Sequence, residues 1–355
     1  MVVLRCYVRH NTKGKTMQDV LWYVLTGVVA FLVTTAFAPI VIGVLKKEKM
    51  RQNILSYVDK HAGKAGTPTM GGIIFLFSIC FVTLVCTREE ASLARVALLV
   101  FVANALVGFL DDYVKFKHHQ NLGLRPYQKL LAQVLIAIGV GVFVYLSPYI
   151  GTDIILPFSK QAVSLGWGII PFTVFLFLAC TNSVNLTDGL DGLASSTTMC
   201  YMLGFIALLW CMLAQGALYL DYVYIAEYKN MLVLASCVVG AMLSFLTFNS
   251  FPAKVFMGDT GSLGLGALVA CVAVFTKTTL FIPLFGIMFV CSAVSVIVQV
   301  AYYKKTKKRV FLMAPLHHHF ERKGYHEVKI VVAYAIITLI VSLCTVLLHV
   351  WALSS

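Results

Sequence analysis

Apolar runs close to twenty residues long recur from one end of the chain to the other, and they leave few folds open. A run of that length crosses a bilayer as a helix, because hydrocarbon forces every backbone N–H and C=O to pair within the chain. About ten such runs stand at 20–45, 71–87, 92–110, 130–149, 168–183, 194–217, 230–248, 261–276, 279–303 and 330–353. Across 355 residues only 12% are charged and mean hydropathy is +0.87, which excludes a soluble domain of this length. The expected fold is all-α and polytopic. It is a single integral membrane domain over 1–355, with a polar tail at 1–17 and a bundle over 18–353 whose short loops leave no room for a large soluble domain. The first run, Val20 to Leu45, is too long for a signal-peptide core and has no small-residue cleavage site behind it, so it reads as a retained span. Of the ten cysteines all but Cys6 fall in or beside apolar runs, as buried packing residues do, and no C-x-x-C occurs.

Sidedness follows from lysine and arginine in the loops. The alternate loops 46–70, 111–129, 184–193, 249–260 and 304–329 hold nineteen basic residues, and the opposite loops hold five: Arg88, Arg95, Lys160, Lys229 and Lys277. The first set is therefore expected on the cytoplasmic side, with both termini outside. Arg5, Arg9, Lys13 and Lys15 in the tail run against this bias. The net charge of +13 is spread along membrane flanks rather than gathered on one soluble face, which points to anionic lipid and phosphate-bearing substrates and away from nucleic acid.

The same assignment brings the unusual polar clusters to one membrane face. Asp111 and Asp112 stand side by side at the end of an apolar run, a costly placement that a bound cation or a catalytic role would relieve and that a solvated helix end would also excuse. Asn104, Gly108 and the two acids share a helix face, and Lys115 follows Asp111 by one turn, as an ion-pair partner or a phosphate contact. Asn182, Asn185, Asp188 and Asp191 repeat every three residues and form one polar stripe if the helix continues, although Gly189 and Gly192 weaken that continuity and permit close approach of a ligand to backbone. Asp259 precedes Thr260 and Gly261 at an expected helix start, where it serves as an N-cap or where the helix end attracts phosphate. The stretch 60–72 combines lysine, threonine and glycine but lacks the Walker A pattern. His317, His318 and His319 lack the i, i+4 spacing of a helical zinc pair and suit contact with phosphate or proton transfer. Gly151, Pro157 and Gly166 with β-branched residues between them suggest a short hairpin on the outer side.

Acids, lysines and amides at a lipid–water boundary point to Mg²⁺ held with phosphate, since Mg²⁺ takes oxygen ligands and binds through one or two carboxylates plus substrate oxygens. A transporter would instead place its polar groups near the midplane, often on paired broken helices. The acids here lie at span ends, which favours an enzyme; Asn104, Pro283 and Gln299 are the residues a transport reading would use.

Five stretches carry a family resemblance: Thr67-Pro68-Thr69-Met70-Gly71-Gly72, Asp111-Asp112-Tyr113, Asn185 to Gly192, Phe256 to Ser262, and Pro315-Leu316-His317-His318-His319-Phe320-Glu321. In this order, from about Lys64 to Glu321, they resemble the polyprenyl-phosphate N-acetylhexosamine-1-phosphate transferase superfamily. The histidine trio resembles its phospho-N-acetylmuramoyl-pentapeptide transferases. The resemblance implies transfer of phospho-N-acetylmuramoyl-pentapeptide from UDP-N-acetylmuramoyl-pentapeptide to undecaprenyl phosphate, giving lipid I and UMP. It implies a multi-pass protein of the bacterial cell membrane with a cytoplasmic site and a homodimeric assembly. An N-acetylglucosamine-1-phosphate transferase is the alternative within the superfamily. By the same likeness Asp259 is the Mg²⁺ ligand, and Asp111, Asp112, Asp259 and His317 are catalytic. Asn185, Asp188 and Asp191 line the site. Lys64, Gly189, Leu190, Asp191 and Phe256 surround the uridine. Thr69, Lys115, Lys129, Asn182, Asn249, His318 and His319 add polar contacts.

Overall fold

The computed structural model describes residues 2–48, 66–88, 91–118, 123–214 and 222–354, apart from the side chains before Met17 and at 222–223. Nine of the ten apolar runs each fall on a single helix, and the run at 279–303 is divided. In chain order these are α1 (Val2–Lys47), α2 (Gly72–Cys86), α3 (Ser92–Lys117), α4 (Pro126–Leu146), α5 (Ile169–Thr187), α6 (Leu193–Ala214), α7 (Tyr222–Asn249), α8 (Gly258–Phe275), α9 (Ile282–Phe285), α10 (Ile287–Thr306), α11 (Leu316–Arg322) and α12 (Glu327–Ser354). Among the described residues nine helices are long and apolar enough to cross a membrane, and α2, at 15 residues, is shorter. At about 1.5 Å per residue α2 covers roughly 22 Å, less than a hydrocarbon core of about 30 Å.

One expected run and one expected polar stripe differ in detail. The run at 279–303 is not one helix: a turn of 3₁₀ helix at Thr279–Phe281 leads into the four-residue α9, and Gly286 separates α9 from α10. Pro283 stands in the first turn of α9, where its missing N–H costs nothing. The polar stripe at 182–191 is also interrupted. Helix α5 ends at Thr187, Asp188 is its C-cap, and Gly192 turns the chain into α6 with φ +80°. A left-handed residue of this kind closes helices at low cost only when it is glycine.

Helix α8 is the axis of the bundle. Sixteen of its residues are buried, and α3, α5, α2 and α6 pack on it. Helices α1 and α7 form a second pair, joined to the first through α2 and α6. The largest fully buried side chains include Phe75, Phe101, Phe205, Phe245, Phe275 and Tyr201, which fill the space between these helices. A hairpin of β1 (Asp153–Ile155) and β2 (Ala162–Ser164) pairs antiparallel, with Ile154 opposite Val163, as the turn residues suggested. It docks through Phe158 N–H to His349 Nδ1 on α12 (3.0 Å) and Ile155 N–H to the Lys277 carbonyl (2.8 Å). All nine described cysteines are free thiols, in keeping with their packing role.

Candidate active site

The site begins with the approach of α3 to α8. Gly108 makes that approach close: a Cβ on it would lie 2.1 Å from the Asp259 carbonyl oxygen and 2.6 Å from Thr260 N. One turn on, Asp112 faces the start of α8. Its Oδ2 accepts the Thr260 N–H (2.9 Å) and the Thr260 hydroxyl (2.7 Å), and its Oδ1 accepts the Asp259 N–H (3.2 Å). Asp112 therefore caps α8 from a neighbouring helix and places a negative charge at the positive end of the α8 dipole. This corrects both readings of Asp259 drawn from the helix start. Asp259 does not cap the helix, and the first amides of α8 are taken by Asp112 instead of standing open to phosphate.

The Asp259 side chain points the other way, into a ring of donors. Its Oδ2 meets Lys129 Nζ at 2.8 Å and Lys115 Nζ at 3.0 Å, and its Oδ1 accepts Asn185 Nδ2 at 2.8 Å. Lys115 also pairs with Asp111 Oδ2 at 2.6 Å, so one ammonium bridges the two acids. The other Asp111 oxygen accepts the Leu124 N–H (2.8 Å). Four helices thus converge: α3 brings Asp111, Asp112 and Lys115, α4 brings Lys129, α5 brings Asn185 and α8 brings Asp259. Asp111, Asp112 and Asp259 each offer a ligand atom, and these atoms lie within 4.8 Å of one another. Three carboxylates this close together fit a hard divalent cation, and Lys115 and Lys129 supply the positive charge that balances them in the structure.

The remaining expected residues divide by their contacts. Thr69 reaches the cluster because the chain at 68–72 lies along 256–257, with Gly71 and Gly72 N–H on the carbonyls of Phe256 and Met257 and Phe256 N–H on Pro68. Gly258, at φ +72°, leaves no room for a side chain between Asp112 and Thr69 Oγ1. Asp188 is half-buried beside the cluster; burial first, then the charges of Asp259, Asp112 and Asp191, push its carboxyl up to about 8. Asn182 lies a turn deeper and donates to Gln133 Oε1 (3.1 Å) and to the Leu178 carbonyl (2.8 Å). Asn249 is buried and held on both sides, accepting from Ser195 Oγ (2.9 Å) and donating to the Val255 carbonyl (3.0 Å). Leu190 and Asp191 are buried in the turn before α6, whereas Phe256 is partly exposed. Lys64 lies outside the described residues.

The histidine trio forms the first turn of α11. His317 is fully buried against Gly189 and Tyr334, and neither of its ring nitrogens has a hydrogen-bond partner among the described residues. Burial above all, and then neighbouring His318, push it down to about 3, so the imidazole is neutral at physiological pH. His318 pairs with Glu321 Oε2 (3.0 Å), and His319 Nδ1 accepts the Leu312 N–H (3.1 Å). Beside this loop a groove of about 970 Å³ opens between Val296, Val300, Tyr303 and Leu312, with Lys304 and Arg322 at its edge.

Three residues at the site were not among those expected from the sequence. Ser262 shares Asn185 with Asp259 (2.9 Å), and Thr260 completes the Asp112 cap. Gln133 is a buried amide in an otherwise apolar stretch, which was its only signal.

Comparison with known proteins bears directly on this arrangement. The profile of glycosyl transferase family 4 matches residues 94–277, about half of the chain, and contains all three acids. Residues 64–76 match signature 1 of the phospho-N-acetylmuramoyl-pentapeptide-transferases. A phospho-N-acetylmuramoyl-pentapeptide-transferase of Clostridium novyi is 43% identical over 316 residues, 89% of this chain and 93% of the relative. Those of Clostridium botulinum strain Eklund 17B (43% over 311 residues, 87% and 91%) and Desulfitobacterium hafniense (42% over 327 residues, 91% and 95%) are similar to it along the same length. With that coverage, the chain belongs to the phospho-N-acetylmuramoyl-pentapeptide transferases, within glycosyl transferase family 4.

Proposed function

We propose that this chain transfers phospho-N-acetylmuramoyl-pentapeptide from its UDP carrier to undecaprenyl phosphate, forming lipid I and releasing UMP, with Mg²⁺ at the cytoplasmic face of the membrane. The observation that carries the proposal is the convergence of Asp111, Asp112 and Asp259 with Lys115 and Lys129 at the ends of four helices. The loop charge bias supports the cytoplasmic placement and the outward termini.

The acids fit Mg²⁺, with Asp259 as its ligand; once bound there, the cation would neutralise charge on the donor diphosphate as it reacts. The protein's own groups do the rest. Asp111 takes the proton of the lipid phosphate. A phosphate oxygen of the lipid then bonds to the β-phosphorus of the donor, the bond from that phosphorus to the bridging oxygen breaks, and UMP departs with the electron pair. Lys115 and Lys129 offer positive charge to the phosphates where it develops. Asn185 fixes Asp259, and Asp112 fixes the start of α8. His317, held neutral and buried against Gly189, supports the turn at 188–192 from behind. By the family likeness Gly189, Leu190, Asp191, Phe256 and Lys64 surround the uridine, and Thr69 adds a polar contact. The groove beside α10 offers apolar walls, Val296, Val300 and Leu312 among them, that suit a polyprenyl tail.

Attack by the lipid phosphate is direct, since the acceptor is itself an anionic oxygen nucleophile; a trapped phospho-aspartyl intermediate would refute this. The reading as a whole is tested by UMP release from purified protein in detergent. Release that requires the muramoyl-pentapeptide donor, the lipid phosphate and Mg²⁺ is expected. No release from folded protein, or turnover with UDP-N-acetylglucosamine alone, would contradict it.

A further inference from the structure

We propose that Glu327, the first residue of α12, is a positioning residue for the nucleotide end of the donor. Helix α12 packs Tyr334 against His317, and its first side chain, Glu327, turns inward and is 9% exposed. Glu327 Oε1 accepts the backbone N–H of Asp191 at 2.5 Å, across 136 residues of sequence. That amide belongs to the turn Gly189-Leu190-Asp191-Gly192 between α5 and α6, where helical bonding has stopped.

Asp191 passes the restraint on. Its Oδ2 accepts the Ala253 N–H at 3.0 Å, and Asp191 is itself 4% exposed. Two residues after Ala253, the Val255 carbonyl accepts Asn249 Nδ2 from the end of α7, while Asn249 Oδ1 accepts the Ser195 hydroxyl of α6. The loop that delivers Phe256 is therefore tied to the start of α6 at two points, and Glu327 ties the turn in front of α6 to α12. The two walls of the uridine pocket, turn and Phe256 loop, are joined by buried hydrogen bonds whose loss leaves buried polar groups unpaired. A carboxylate acceptor makes such a bond to an amide stronger than a neutral one. The physical consequence is pre-organisation. With Glu327 present the turn is already in its binding shape, and without it part of the binding energy goes into ordering the turn.

An acid at the first turn of a helix also stabilises its own helix through the dipole. That role alone would lower thermal stability without distinguishing between substrates. The inference rests on the uridine lying at this turn, so the experiment separates the two. Full-length Glu327→Ala and Glu327→Gln are purified in detergent beside the wild type. UMP binding is measured by calorimetry, and KM and kcat are measured for donor and lipid acceptor. Expected for Glu327→Ala are at least a tenfold loss in UMP affinity, a similar rise in donor KM, an unchanged acceptor KM and a kcat within about threefold of wild type. Glu327→Gln keeps an acceptor oxygen in place and restores most of the affinity. Unchanged UMP affinity and donor KM in Glu327→Ala would overturn the proposal, as would a fall in melting temperature and kcat with no change in donor KM. If Glu327→Ala fails to fold, Glu327→Asp keeps the charge and shortens the reach by one methylene; it must then raise donor KM, and a wild-type KM refutes the proposal. Wild-type protein that turns over both substrates yet binds no UMP removes the uridine from this turn and the inference with it. Wild-type protein that neither binds UMP nor releases it overturns the transferase reading first.

Discussion

Replacing Gly108 by alanine adds one methyl group at the tightest contact between the two helices that carry the acids. Its Cβ would lie 2.1 Å from the Asp259 carbonyl oxygen, 2.4 Å from the Asp259 carbonyl carbon and 2.6 Å from Thr260 N. All three are backbone atoms of α8 and cannot rotate aside. To reach ordinary contact at 3.4 Å the helices must separate by more than 1 Å at this point. The shift falls one turn before Asp111 and Asp112, so it moves them relative to Asp259 and loosens the Asp112 bonds to Thr260. A misplacement of about 1 Å in a catalytic arrangement costs on the order of 10²-fold in rate, or roughly 2.7 kcal/mol of barrier. Overpacking of this kind destabilises by about 1–3 kcal/mol, so the bundle is expected to persist. The assay is UMP release at saturating substrates, with melting temperature and gel-filtration profile as folding checks. Gly139→Ala on α4, where a Cβ meets nothing within 4 Å, is the control and should leave both rate and stability unchanged. A folded Gly108→Ala protein with wild-type kcat would refute the claim that the α3–α8 spacing sets the site.

The other predictions use single contacts. Asp112→Ala removes the cap of α8 and its dipole partner; thermal unfolding should show a loss of about 1–2 kcal/mol together with loss of turnover, and unchanged stability would show that the cap is unimportant. Lys129→Met removes one of the two ammonium groups competing for Asp259 Oδ2. Titration of UMP release with Mg²⁺ should then show tighter apparent Mg²⁺ binding and a kcat at least tenfold lower, and weaker Mg²⁺ binding would contradict the geometry. His317 sits at about 3 in the folded protein against an ordinary 6.5. Its contribution to stability is therefore fully present above pH 6.5 and is lost as pH falls toward 3, because the unfolded chain binds the extra proton. Lowering pH from 6.5 to 5 should cost up to about 2 kcal/mol through this residue. In His317→Gln the fall in melting temperature over that interval should shrink, and an equal fall in both proteins would refute it.

Much of the architecture was legible because the bilayer imposes it. Run length alone placed every long helix, and apolar composition cannot mislead strongly when the backbone has no other partner. Breaks were harder. Nothing in hydropathy distinguishes Gly286, which splits the run at 279–303, from Gly264 or Gly266, which α8 passes straight through. The acids were visible as acids out of place, but their directions were not. Asp112 and Asp259 both stand at helix ends, and only the crossing of α3 over α8 decides that Asp112 takes the amides while Asp259 turns toward Lys115 and Lys129. Period counting gave Asn182, Asn185, Asp188 and Asp191 one common face. The helix stops at Thr187, so Asn185 meets Asp259 whereas Asp191 turns toward Ala253. Glu327 carried only the weak signal of an acid ahead of an apolar run, since its partner is a backbone amide 136 residues away.

The central claim is that the three acids at the crossing of α3 and α8 form the centre of a metal-dependent transfer. Its most direct test is the Mg²⁺ dependence of lipid-product formation by wild type and Asp259→Asn, both folded and both given the muramoyl-pentapeptide donor and the lipid phosphate. The wild type should form product only with Mg²⁺. Asp259→Asn should lose most of that activity and require far more Mg²⁺ for what remains. An unchanged rate and an unchanged Mg²⁺ dependence in Asp259→Asn would contradict the account.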